Sequence, residues 1–207
     1  MKKPLLLIVP LLGAHTSRAP VLSYLTVGSH RVNFETESGA APFSGVRETL
    51  GGMPVGGEEG SAMTPTICYS VTDPTVGATK GMVLVFYGDD GGSDTLTEFE
   101  LTSASAKPDL DDKCTHLPIT AEDVSTDLGI RVGLTRSAVE KKLGEPLREE
   151  KGKTVYQSID VHVLHGDEES ATKVEVTSEL NVTYRNGKVA AFGGGLSAAG
   201  EDSASPQ

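Results

Sequence analysis

Three groupings in this sequence hold residue types that could do chemistry. His162 and His165, with Asp160 and Asp167 nearby, offer the imidazole and carboxylate donors that suit zinc. The residues around them read as a strand, however, and in a strand side chains three apart point to opposite faces. The two histidines could share a metal only if that strand ended between them. Asp89 to Glu100 has acids at both ends, as a calcium loop does. Gly91 and Ser93 are poor ligands there, and Asp94 stands where such a loop needs glycine for its sharp turn. The stretch reads instead as a turn, Asp89 to Asp94, followed by a strand. Cys68 and Cys114 form no C-x-x-C, so an even pair is most simply one disulfide. It would close a loop of roughly 45 residues and stabilise the fold by roughly 3–4 kcal/mol.

His30 and His116 are isolated and read as surface or loop histidines. There is no G-x-S-x-G, no H-E-x-x-H, no phosphate-binding Walker loop and no G-x-G-x-x-G. Gly193-Gly194-Gly195 ends a strand without a following Lys-Ser/Thr, and reads as a flexible exit into the tail. The 29 acidic residues contain no spacing that selects a catalytic carboxylate pair. The sequence therefore predicts no catalytic residue, no cofactor and no metal.

The elements that must position these groups are set by composition. The chain has 207 residues, 37% of them hydrophobic, with no Trp, 24 Gly and 11 Pro, which suits modest cores and β-structure with many turns. A formal net charge of −11 argues against nucleic acid and anionic membranes, which select Lys and Arg. Lys2 and Lys3 precede a short apolar run, Leu5 to Leu12, broken by Pro10. That run is far below the roughly 20 residues of a membrane span and reads as a bacterial Sec signal peptide, cut after Ala19 or after Ala14. No Cys stands near Leu11 to His15, where a lipoprotein signal would carry one. The expectation is a soluble exported protein without membrane insertion, in the periplasm or outside the cell.

Along the chain, Phe43, Val46 and Leu50 share one helical face after Pro42, and Gly51 stops that helix. Ile67, Tyr69 and Val71 then alternate with Cys68 and Ser70, which puts Cys68 on the strand face opposite the apolar set. Strands follow at Met82 to Tyr87 and Leu96 to Leu101. The second half repeats the order. Thr135 caps a helix over Arg136 to Leu143, with Val139 and Leu143 inward, Lys141 and Lys142 in the last turn, Gly144 as stop and Pro146 beyond it. Strands are expected at Thr154 to Leu164, Val174 to Tyr184 and Lys188 to Gly193. Asn186-Gly187 suits a type I′ turn, pairing Tyr184 with Val189 and Val182 with Ala191.

The segment Gly129 to Pro146, GIRVGLTRSAVEKKLGEP, resembles the Gly-Met-Thr…Val…Leu-Gly-x-Pro signature of the SmpA/OmlA (BamE-like) envelope proteins and the β-lactamase-inhibitor-protein-like modules. The residues that carry it are Gly133, Thr135, Val139, Leu143, Gly144 and Pro146. The likeness is best over residues 129–192. In the first half Ala40-Ala41-Pro42 replaces Gly-x-Thr. The resemblance implies an α+β fold of two tandem small modules, each a helix packed on one face of a three- to four-stranded antiparallel sheet. The expected organisation is a signal peptide over 1–19, a first module over 20–105 and a linker carrying Cys114 over 106–128. A second module follows over 129–196, then a disordered tail over 197–207. The function to expect is a non-enzymatic protein-binding or structural module of the cell envelope, with a protein partner. Alternatives are a secreted inhibitor or immunity-like protein, or a metal-binding protein or hydrolase using His162 and His165.

Overall fold

The computed structural model describes residues 22–36, 39–56, 64–73, 81–110, 112–150, 152–164 and 172–200. In chain order the strands are β1 Tyr24–Val27, β2 His30–Asn33, β3 Glu35–Thr36 and β4 Gly39–Ala40. Helix α1 Ser44–Leu50 precedes β5 Pro54–Gly56, β6 Thr66–Thr72, β7 Met82–Gly88 and β8 Leu96–Ser103. Next come β9 Thr115–Thr120 and β10 Val124–Thr126, then α2 Arg136–Leu143. The chain closes with β11 Arg148–Glu150, β12 Lys153–Leu164, β13 Thr172–Arg185 and β14 Lys188–Gly200. Among the described residues no helix is long and apolar enough to cross a membrane.

The two-module expectation is overturned. One nine-stranded sheet runs β11-β12-β13-β14-β8-β7-β6-β5, with β9 parallel to β6. The seam is the antiparallel pairing of β14 on β8, with Phe192 opposite Leu101, Gly193 opposite Glu100, Gly194 opposite Phe99 and Gly195 opposite Glu98. Strands dominate, and the two helices are short, of 7 and 8 residues. The physical reason lies in the last strand. It runs beyond Gly193 to Gly200, so a stretch expected to leave the sheet is instead its central strand.

The pairing registers show how the two halves share one core. One transverse row reads Tyr156, Leu180, Gly194, Phe99, Phe86 and Ile67. The next reads Thr154, Val182, Phe192, Leu101, Leu84 and Tyr69. These positions face inward, and apart from Thr154 and Gly194 their side chains join a single cluster with Val46 of α1 and with Val139 and Leu143 of α2. A small sheet, β10-β1-β2, adds Leu25, Val27, Val32 and Val124 to the same cluster. Rings connect the layers: Phe34 lies 5.4 Å from Phe99, and Phe99 lies 5.8 Å from Phe192. Residues 106–128, expected to link two modules, contain β9 and β10, which pair with β6 and β1.

The bracketed helix forms as its residues dictate. Thr135 Oγ1 accepts the Ala138 N–H at 3.3 Å, and the Gly144 N–H donates to the Glu140 carbonyl at 2.7 Å. The segment before it is held by the last hairpin: Gly133 N–H donates to Val189 O at 2.9 Å, and Val189 N–H to Leu134 O at 2.8 Å. Asn186 and Gly187 have φ of 52° and 71°, the paired positive values that a type I′ turn requires. Tyr184 pairs with Val189 as expected, but a bulge follows and Val182 meets Phe192 rather than Ala191. The bulge lets the large Phe192 take the inward position.

Helix α1 lacks a cap of its own, because Phe43 occupies the N-cap position. The β7–β8 turn supplies one. Asp94 accepts the Ser44 N–H at 2.7 Å and the Ser44 hydroxyl at 2.5 Å. A carboxylate there also meets the positive end of the helix dipole. Asp94→Ala is therefore expected to lower unfolding free energy by about 1 kcal/mol, and Asp94→Asn, which keeps an acceptor, by less. Urea denaturation followed by circular dichroism reads both, and equal losses for the two variants would refute the cap.

Candidate functional site

The outward parity of the large sheet carries different residues. One row reads Gln157, Glu179, Gly195, Glu98, Tyr87 and Thr66, and the next Val155, Asn181, Gly193, Glu100, Val85 and Cys68. Over β6 and β7 this face is covered. Ala104, Leu110 and Cys114 pack there on Cys68, Val83 and Val85. The segment is fastened by the Cys68–Cys114 disulfide, whose Cα atoms lie 4.8 Å apart. Cys68 thus sits on the face opposite Ile67 and Tyr69, as its strand parity predicts.

Beyond that cover the outward face opens into a trough of 490 Å³ along β14. Its floor is Ala191, Gly193, Gly195 and Ser197, with Glu98 and Glu100 of β8 on one side and Glu179 and Asn181 of β13 on the other. Strand spacing makes it about 10 Å across from β8 to β13. The floor exists because β14 is squeezed between its neighbours. A Cβ at Gly193 would lie 2.6 Å from the Phe99 carbonyl oxygen, one at Gly194 2.2 Å from the Glu179 oxygen, and one at Gly195 2.3 Å from the Thr97 oxygen. Only glycine fits at all three.

Charges are distributed unevenly along the trough. Lys107 Nζ lies 2.8 Å from Glu100 Oε2 and donates to Tyr87 OH at 3.0 Å. Burial alone would pull the Lys107 ammonium down, but these two partners outweigh it and hold its pKa up at about 12. Glu179 accepts from Arg148 Nη2 at 3.2 Å and from Asn181 Nδ2 at 3.1 Å. Glu98 is exposed and makes no ion pair among the described residues. It also lines an adjoining hollow of 400 Å³ with Asp89 and Asp90. Hydrogen bonds from the Ser93 hydroxyl and from backbone N–H groups hold the Asp89 carboxyl below the ordinary range, so it stays ionised at neutral pH. One end of the trough is therefore acidic, and the rest is polar and locally balanced.

The sequence-derived candidates fall elsewhere. His162 lies in β12, and its side chain, like His165 and Asp167, is outside the described residues. Among the described residues no group of three or more His, Cys, Asp or Glu could hold a metal. Residues 89–94 form the β7–β8 turn, where Asp89 and Asp94 are engaged by Ser93 and Ser44. His30 is exposed on β2, and His116, exposed on β9, has Nδ1 3.4 Å from Ser70 Oγ. Gly133, Thr135, Val139, Leu143 and Gly144 build α2 and its entry and exit, and none of them lines the trough. Residues 1–19, read from the sequence as a signal peptide, lie outside the described residues. Glu98, Gln157, Glu179 and Asn181 were not anticipated. Their signal is polar residues on the non-core parity of strands that flank a glycine run. Neither a protein-family model, nor a curated protein, nor a solved structure matches this chain.

Proposed function

We propose that this chain is an exported, non-enzymatic binding module that receives an extended, basic segment of a partner protein along β14. The observation that carries this reading is the trough with a shallow floor, Gly193 and Gly195 between Ala191 and Ser197, and an acidic end formed by Glu98, Asp89 and Asp90. An extended chain is narrow enough to lie between β8 and β13, and a lysine or arginine at its end meets unmatched carboxylates. The overall charge of −11 adds long-range attraction for a cationic partner. The likeness of residues 129–146 to envelope and inhibitor modules favours a protein ligand over a small molecule. If the partner is an enzyme, the role is that of an inhibitor or immunity-type protein.

The test uses fluorescent peptides of about eight residues alternating Lys with Ser, or Glu with Ser, read by anisotropy. At low salt the cationic peptide should bind about tenfold more tightly, and rising ionic strength should erase the difference. Glu98→Gln with Asp90→Asn should reduce the preference sharply while leaving the fold intact. A preference left undiminished by both changes would exclude the trough.

A further inference from the structure

The large sheet is guarded at one point and open at another. Its outermost strand, β11, is short, and Arg148, Glu149 and Glu150 are all exposed and charged, which blunts an edge. But β11 pairs with β12 only over Lys153, Thr154 and Val155. Strand β12 continues to Leu164, and among the described residues no strand pairs with it on that side beyond Val155. The Val155 carbonyl accepts from Leu147 N–H at 2.8 Å on the β11 side. In an antiparallel strand alternate residues direct their backbone groups to the same side. The N–H and C=O of Gln157, Ile159, Val161 and Val163 therefore point out along the open edge. The segment holds no Pro, Lys or Arg. At its middle Ile159 is 50% exposed, one of the few large hydrophobic side chains left in water.

We propose that this edge is a self-association site, joining β12 of one copy antiparallel to β12 of a second copy about a two-fold axis at Ile159. Backbone donors and acceptors in a row specify a strand as the occupant. The residues specify which strand. With Ile159 opposite Ile159, the outward-pointing residues fall in hydrogen-bonded pairs, as the ladder requires: Ile159 with itself and Gln157 with Val161. Ser158 then stands opposite Asp160, a hydroxyl beside a carboxylate, and no acid faces an acid. Exposed Ile159 is buried against its own copy. The ladder ends by itself at Tyr156 opposite His162, because β11 already occupies Val155. Such an isologous contact closes at two chains and does not propagate. It also makes the two outward faces continuous, with one trough from each copy.

Sedimentation equilibrium on the full chain tests this over about 1 to 100 µM. The expected result is a monomer–dimer equilibrium within that range. Ile159→Lys should weaken it at least about tenfold, and Ile159→Gln should weaken it less. Both variants alter a half-exposed side chain, and far-UV circular dichroism checks that they fold. Hydrogen-bonded antiparallel partners have Cα atoms about 5.5 Å apart, within disulfide reach. Ile159→Cys should therefore give a covalent dimer on mild oxidation, whereas Thr177→Cys on neighbouring β13 should not. A chain that stays monomeric at about 100 µM overturns the proposal and leaves the edge to a foreign strand. A dimer indifferent to Ile159→Lys, or one that Ile159→Cys fails to crosslink, overturns it as well.

Discussion

A Gly194→Ala variant is expected to lose about 3 kcal/mol of stability, far more than the usual cost of alanine for glycine, which in a strand is often favourable. The added methyl would lie 2.2 Å from the Glu179 carbonyl oxygen and 3.2 Å from the Leu180 Cα. Neither is the flexible end of a side chain. Both belong to β13, which is itself fixed between β12 and β14, so relief requires parting the sheet at its centre. For a chain of this size the melting temperature should fall by about 10 °C. Gly187→Asn is the control. Its site in the hairpin turn has open space around a Cβ and a φ of 71° that asparagine tolerates, so it should cost well under 1 kcal/mol. Thermal and urea unfolding read both variants. A Gly194→Ala protein within about 0.5 kcal/mol of the parent would refute the close approach of β13 to β14 at Gly194.

The second large effect concerns the disulfide. Cys68 and Cys114 are 46 positions apart, and in the chain-entropy account removing such a link costs about 4 kcal/mol. The double variant Cys68→Ala/Cys114→Ala is the cleaner comparison, since it leaves no lone thiol to mispair. Its loss should exceed that of a simple surface change for a second reason. The cover over Val83 and Val85 is fastened at Cys114, and loosening it exposes apolar surface on the outward face. Lys107 sits in that same segment and pairs with Glu100. The double variant should therefore also carry an extra unmatched acid at the trough wall and bind the cationic peptide more tightly. Urea unfolding with and without reductant gives the stability term. A parent protein whose unfolding midpoint is insensitive to reductant would refute a stabilising role.

The sequence made local structure legible and long-range pairing illegible. Alternation at Ile67 to Val71 placed Cys68 on the correct face, and Thr135, Gly144 and Pro146 bounded α2, because parity and capping depend only on neighbours in the chain. The type I′ turn at Asn186-Gly187 was readable for the same reason. The bulge that brings Phe192 rather than Ala191 opposite Val182 was not, since it follows from which side chain the distant core can accommodate. The glycine run misled most. Three glycines in sequence read as a loose exit, yet they are there because two neighbouring backbones approach too closely for any Cβ. That approach creates both the seam that fuses the halves and the floor of the trough. A single sheet in place of two small ones, and the candidate site itself, thus turned on one contact between strands that share no local signal.

The position of β14 also sets an order of events. Gly194 completes its pairing with Phe99, nearly half the chain earlier, and pairings of such separation are slow to form. During synthesis from the N-terminus, β8 has no neighbour on its seam side until β14 has been made. Through that interval the first half exposes an unsatisfied edge and an incomplete core, the condition in which chains misassemble with one another. Delivery in an extended state, with folding begun only after the final strand is free, removes that interval altogether.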